Sequence, residues 1–388
     1  MPLLDYPPEA EAFRVEIRRW LEENLPDGWF DEGFELTPEE RAEFNRGWTE
    51  RLFAGGWICA SWPKEYGGRD APPSEQLIFL EECSNAKAPY VGVNFVGTLH
   101  AGPTLIAEGT DDQKAAHIPK ILRGDEVWCQ CFSEPDAGSD LAGLTTRAER
   151  DGDHYVVTGR KIWCSFGQVG EFGELLARTD PTAPKHKGIS WFILPMDLPG
   201  IEIRPIETIL GSSEFCEVFL DEVRVPTDCL VGAENDGWRV TNVTLSFERG
   251  TAFVSEMVDA MRMAVELAPH VHDPADRREL GHVVAEFDAL WALTKRNVSR
   301  AARTGDTGLG GMLMKLAYSE ARDRLGELSM RVLDRGVFDV HEPFVEERLR
   351  TLSLTIAAGT SQIQRNIVGE RVLGLPRERA WPAPGTEG

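Results

Sequence analysis

The chain is poor in positive charge. Its 41 Lys and Arg stand against 64 Asp and Glu, a formal net charge of −23, so a polyanion such as nucleic acid is repelled overall. A local basic patch can still hold a phosphate-bearing small molecule, so nucleotide-like cofactors stay open. No apolar run approaches the ~20 residues of a membrane-spanning helix, and no membrane association is expected. The start, Met1-Pro2-Leu3-Leu4-Asp5-Tyr6, has neither the basic residues nor the apolar stretch of an export signal. Cysteine is sparse and scattered, at Cys59, Cys83, Cys129, Cys131, Cys164, Cys216 and Cys229. An odd, dispersed set reads as reduced thiols, and the expectation is a cytoplasmic protein. Cys129-Gln130-Cys131 lacks a second ligand pair, so alternation along a strand is the reading and no metal is expected. Also missing is a Gly-x-Gly-x-x-Gly that follows a strand and opens a helix, which counts against a doubly wound dinucleotide fold.

What is present is ample core material. Hydrophobic residues make up 42% of 388 residues, enough for two or three domains. Residues 1–124 are mostly helical in pattern: Phe13, Ile17, Trp20, Leu21 and Leu25 recur at helical spacing, and Ser74–Ala86 and Asp111–Leu122 read as further helices. Over 125–233 the period falls to two. His154–Thr158, Leu175–Arg178, Ile189–Leu194 and Cys216–Leu220 read as short strands separated by Gly, Asp and Pro. Strands without long helices between them predict a compact antiparallel β domain. From 234 to 388 helical spacing returns, with Phe247, Thr251, Val254, Val258 and Met261 on one face and long helices over Gly281–Arg303 and Gly310–Asp334. The fold class expected is α+β and multidomain: an N-terminal helical domain, a central antiparallel β domain and a C-terminal helical bundle.

Four segments carry a family likeness. Ala358-Gly359-Thr360-Ser361-Gln362-Ile363-Gln364-Arg365 opens a helix with N-cap residues, and Gly374-Leu375-Pro376 stops it. With Asn366-Ile367-Val368 and Glu370 to Arg377, this wording resembles the C-terminal signature of the acyl-CoA dehydrogenases. Phe132-Ser133-Glu134-Pro135-Asp136-Ala137-Gly138-Ser139-Asp140 resembles that family's flavin and CoA loop, with Asp136 where a glycine is common. Gly159-Arg160-Lys161-Ile162-Trp163-Cys164-Ser165 resembles its flavin-lining strand, and Trp62 to Gly68 is similar to a further element. The likeness spans nearly the whole chain.

The resemblance implies an FAD-dependent oxidation of an acyl-CoA to its α,β-unsaturated form, with electrons passed to an electron-transfer flavoprotein. A base takes the α-proton and the flavin takes the β-hydrogen as hydride, in one dry pocket. It implies flavin contacts from Phe132, Ser133, Gly138, Ser139, Trp163, Ser165, Gly359, Thr360, Ser361 and Gln362, with Ser139 also near the CoA arm. In much of the family the base is a glutamate just before Gly-Thr-Ser, but that position is Ala358 here. Another branch carries it in the first long helix of the C-terminal domain, and Glu248 of Leu245-Ser246-Phe247-Glu248-Arg249 matches that position. Glu248 lies off the stripe of Phe247, Thr251 and Val254, which fits a solvated glutamate and a base facing a cleft equally well. Phe247 and Arg249 are then the expected substrate contacts, Arg249 near the CoA phosphates.

Homotetrameric members hold the FAD adenine with an Arg-x-x-Phe-Gly-type and a Gln-x-x-Gly-Gly-type segment from a neighbouring subunit. Leu267 to Asp273 and Val332 to Gly336 stand near these and match neither cleanly. A tetramer is therefore expected, with a related second subunit as the open alternative to simple divergence. Two other readings stay open: a flavin oxidase or monooxygenase on the same fold, and a non-catalytic acyl-CoA-binding subunit.

Overall fold

The computed structural model describes residues 8–31, 34, 36–89, 94–251, 253–304, 310–333 and 342–377, without the side chains of 246–251 among others. The chain folds into two compact units, Met1–Asp259 with Val298–Gly305, and Ala260–Asn297 with Asp306–Gly388.

The first unit begins with helices α1 (Pro8–Asn24), α2 (Pro38–Ala54), α3 (Pro73–Asn85), α4 (Gly102–Glu108) and α5 (Asp111–Arg123). The helical spacing read in α1 is the one that buries it: Phe13, Ile17 and Leu21 are inside, and Trp20 meets Trp48 and Trp57 with tilted rings. Each such buried side chain contributes about 1.5–3 kcal/mol of transfer free energy. Arg14 and Arg18 of α1 both reach the buried carboxylate of Glu82 in α3, so that charge enters the core paired. Reciprocal bonds between Thr110 and Gln113 start α5, and Gly124 in a left-handed conformation ends it.

Eight strands follow: β1 (Trp128–Cys131), β2 (Arg147–Asp151), β3 (His154–Ser165), β4 (Phe172–Arg178), β5 (Ile189–Pro195), β6 (Ile201–Ile206), β7 (Phe215–Pro226) and β8 (Leu230–Val231). They form one sheet in the order β6-β7-β3-β2-β4-β5-β8, with β1 paired to β4. The expected antiparallel pattern holds for most pairs, while β1 runs parallel to β4 and β2 meets β4 in parallel at Arg147 and Arg178. A parallel pair needs a long crossover, and the segment carrying the Phe132–Asp140 loop, β2 and β3 provides it for β1 and β4. The sheet core gathers Tyr155, Val157, Leu175, Phe192, Leu194, Val218, Leu220 and Val223 with the thiols of Cys129, Cys131, Cys164 and Cys216.

Helix α6 (Gly237–Thr251) belongs to this first unit. A Cβ on Gly237 would stand 2.5 Å from the Ser190 carbonyl carbon in β5, so only glycine lets the helix start this close. Thr244 meets Thr104 of α4 hydroxyl to hydroxyl at 2.9 Å. Arg239 forks both oxygens of Glu108 at 2.6 and 2.7 Å. The apolar stripe read from Phe247 to Met261 is divided between two helices, since α7 (Val254–Leu267) begins anew at Val254.

The second unit contains most of α8 (Pro274–Thr304), then α9 (Gly310–Val332), α10 (Pro343–Leu354) and α11 (Ser361–Ile367). Buried Arg322 of α9 pairs with Glu347 of α10, and Arg348 of α10 returns to Asp323 of α9. The Leu267–Asp273 segment forms the end of α7 and a short turn on which Val271 is buried. Asp334, Arg335 and Gly336 lie outside the described residues.

Candidate active site

In the first unit the Phe132–Asp140 loop leaves β1 and is pinned from behind by a buried ion pair. The Lys161 ammonium, fully buried in β3, donates to Glu134 Oε1 at 2.8 Å and to the Phe132 carbonyl at 3.1 Å. Glu134 also accepts from the Thr145 amide at 2.7 Å, the Thr145 hydroxyl at 2.8 Å and the Thr146 amide at 2.9 Å. Burial alone would raise the Glu134 carboxyl, but the Lys161 ammonium and these donors outweigh it and hold it at about 2. Burial likewise lowers Lys161 from its ordinary value, and Glu134 restores part of the loss. Beyond Glu134 the chain makes a tight turn, with Glu134 and Ala137 exchanging backbone bonds of 3.1 Å. Gly138 and Ser139 then stand exposed, and a Cβ built on Gly138 meets nothing within 4 Å. This is open backbone where an extended ligand can approach.

The second segment lies beside the first. The Ile162 amide donates to the Ser133 carbonyl at 3.0 Å, so the loop and β3 present their ends together. Between Lys161 and Cys164 the pairing of β3 with β7 slips. The slip turns both Lys161 and Cys164 into the core and sends Trp163 outward, 56% exposed, at a left-handed φ of 62°. Bulges re-aim side chains in this way, and a left-handed aromatic residue costs of order 1 kcal/mol or more. Its indole touches Phe215 edge-on at 6.1 Å, and Ser165 is half-buried two residues on.

Helix α6 carries Glu248 four residues after Thr244. The side chains of Phe247, Glu248 and Arg249 lie outside the described residues, so the structure gives the helix that bears them and nothing of their contacts.

In the second unit, Ala358 and Gly359 are successive left-handed residues, φ 51° and 85°, that turn the chain into α11. The Thr360 hydroxyl accepts from the Ile363 amide at 3.1 Å and caps the helix. The turn is held through its carbonyls. Buried Lys315 of α9 donates to Gly359 O at 2.7 Å, and the Gln364 amide donates to Ala358 O at 3.2 Å. Two buried atoms here, Ser361 Oγ and Gln364 Oε1, have no hydrogen-bond partner. Such orphans ask for a polar ligand. Gln362 is exposed.

In the first unit, the open backbone at Gly138, the outward indole of Trp163 and the half-buried Ser165 suit the cofactor implied by the resemblance. The second unit by itself offers unsatisfied polar atoms at a capped helix. Phe132, Ser133, Gly138, Ser139, Trp163 and Ser165 fall in one unit, and Gly359 to Gln362 in the other. Sequence reasoning missed the supports, Lys161 with Glu134 and Lys315. A lysine at an inward strand position, among Tyr155, Val157 and Cys164, was the available signal for the first.

Residues 7–125, 129–223 and 235–373 match the models described as acyl-CoA dehydrogenase N-terminal, middle and C-terminal domains. The chain is 39% identical to the acyl-CoA dehydrogenase IpdE1 of Mycobacterium tuberculosis, over 95% of this chain and 99% of that one. It is similar to a solved structure described as the Tcur3481-Tcur3483 steroid ACAD, with TM-score 0.83, 30% identity, and coverage of 97% and 100%. A crystal structure of the ChsE4-ChsE5 complex from Mycobacterium tuberculosis gives TM-score 0.81 and 31% identity over 97% of this chain and 100% of that one.

Proposed function

Because this chain belongs to the acyl-CoA dehydrogenase family, we propose that it oxidises an acyl-CoA thioester to the trans-2-enoyl-CoA with Glu248 as the base. It is an acyl-CoA dehydrogenase, and FAD is the cofactor of this family. The observation that carries the reading is the bond from the Ile162 amide to the Ser133 carbonyl, which joins the two expected flavin segments at one end of the sheet. When bound, FAD supplies the acceptor for the β-hydrogen. The Glu248 carboxylate takes the α-proton, as Ala358 leaves no carboxylate at the other family position. Arg249 holds a CoA phosphate, for which a forked cation is suited, and Phe247 and Ser139 contact the substrate. Phe132, Ser133, Gly138, Ser139, Trp163 and Ser165 hold the flavin, and Gly359, Thr360, Ser361 and Gln362 supply further polar contacts. The corresponding domains are 1–124, 125–233 and 234–388.

Electrons pass on to an electron-transfer flavoprotein. The assembly we propose is a cytoplasmic tetramer that includes a related second chain, because the two adenine-holding segments are unmatched here. Two of the similar structures are pairs of unlike chains by their descriptions. The acyl group is bulky and ring-bearing, a reading supported by Gly250, Ala357 and Ala358 and by the steroid description of a similar structure. Activity on short straight chains alone would overturn it. Among the described residues no helix is long and apolar enough to cross a membrane.

The first test is the ratio of bound FAD to polypeptide in the chain purified alone. A ratio near one supports a self-sufficient homo-oligomer. Little flavin, restored by co-expression with a related chain, supports the shared site, and no flavin under either condition overturns the cofactor assignment. Ala358 favours one second reading, a non-catalytic subunit, and an assembled complex indifferent to Glu248→Gln would establish it.

A further inference from the structure

The chain from Phe132 to Glu134 is held at three successive residues. Its carbonyl, Phe132 O, accepts from the buried Lys161 ammonium at 3.1 Å. The next carbonyl, Ser133 O, accepts from the Ile162 amide at 3.0 Å. Glu134, the following residue, is fixed by Lys161, Thr145 and Thr146. The Phe132 carbonyl and the Ser133 amide belong to one peptide group, so a cation on the oxygen strengthens the amide as a donor. The ammonium touches Phe132 O at 3.1 Å, and the carboxylate is anchored to Thr145 and Thr146. The pair therefore sets its positive group directly on the carbonyl of this peptide. A buried, preorganised charge acts strongly on charge that develops nearby.

We infer that the Lys161–Glu134 pair is a positioning element that raises the electron affinity of the flavin, by aiming and polarising the Ser133 amide. This rests on the proposed contact of Phe132 and Ser133 with the flavin. Two-electron reduction adds negative charge to the flavin ring, and a stronger donor stabilises that charge. Lys161 touches the Phe132 carbonyl, so it acts through the peptide.

The experiment compares the FAD-loaded wild type, with its partner chain if loading needs one, with the paired variant Lys161→Met/Glu134→Gln. Dye-equilibrated reduction reads the oxidised-to-reduced flavin ratio at a fixed ambient potential. The expected result is a shift towards oxidised flavin of about tenfold, equivalent to about 30 mV for a two-electron couple, with FAD content unchanged. Lys161→Arg, which keeps the charge, stays close to the wild-type ratio. An unchanged ratio, or a shift towards reduced flavin, overturns the inference. So does loss of FAD from a folded variant, which would make the pair a retention device. If the paired variant does not fold, Glu134→Gln alone decides, with a shift towards reduced flavin expected and any other result refuting. Absence of FAD from the wild type sinks the cofactor assignment itself, a failure distinct from an unshifted potential.

Discussion

The same ion pair makes a quantitative prediction about acid stability. Glu134 is held at about 2 against an ordinary value of 4.5. At roughly 1.4 kcal/mol per pH unit, that difference is worth on the order of 3 kcal/mol. Because the folded-state value lies below the unfolded one, the contribution is complete above pH 4.5 and is lost as pH falls through 2. Integrating the linkage gives a loss on the order of 1 kcal/mol at pH 4 and about 2 kcal/mol at pH 3. Lys161→Met/Glu134→Gln removes both charges and keeps an acceptor for one of the Thr145 and Thr146 amides, so it has no such titration. Buried pairs replaced by neutral groups are often near-neutral at pH 7, so the change in the gap carries the information. The assay is urea unfolding of wild type and variant at pH 7, 4 and 3, read by tryptophan fluorescence at fixed protein concentration. The wild type should lose ground to the variant by those amounts. A gap independent of pH between 7 and 3 would refute the assignment of a buried, ionised Glu134.

Three further outcomes are expected. Glu248→Gln keeps bound FAD but slows acyl-CoA-dependent bleaching of the flavin by at least about 10²-fold, the usual worth of a positioned base; stopped-flow absorbance checks it, and full-rate reduction would move the base elsewhere. Trp163→Gly relieves a left-handed position and stabilises the flavin-free chain by up to about 1 kcal/mol, while FAD is retained more weakly; thermal unfolding with and without FAD separates the two effects. Thr360→Ala removes the cap on α11 and costs about 1 kcal/mol, seen as a lowered urea midpoint.

Much of the fold was legible because its elements obey the simplest periods. Ile17 and Leu21 are buried where helical spacing put them, and Ile189 to Leu194 falls within the strand Ile189–Pro195, as expected. The pairing of β1 with β4 was not legible. Parallel pairing joins Cys129 to Gly173 across forty-odd residues, and nothing in local alternation encodes a partner that distant. The site divides in the same way. Glycines, hydroxyls and an aromatic in the family's wording marked the loop and Trp163. The reason Trp163 faces out is a slip in register, a property of two strands jointly. Lys161 lies within one of the family segments and carries no expected role, since a lone lysine on a strand reads as surface until its carboxylate is found 27 positions upstream.

Ala358 shows how the base can change place without loss of the turn. The residue is exposed, its φ is 51°, and the turn is held by Lys315 on Gly359 O and Gln364 on Ala358 O. All of these holds act on the backbone. The side chain at 358 therefore has no structural duty, and exchanging a glutamate for alanine there removes only a carboxylate. A family that needs one base can keep this turn for its cap and its orphaned Ser361 and Gln364 atoms and carry the carboxylate on another helix. If Ala358 is free in this sense, Ala358→Ser and Ala358→Gln leave stability within about 0.5 kcal/mol of wild type. A loss of 2 kcal/mol or more from either would mean that the turn does depend on its side chain, and the argument for relocation to Glu248 would lose its footing.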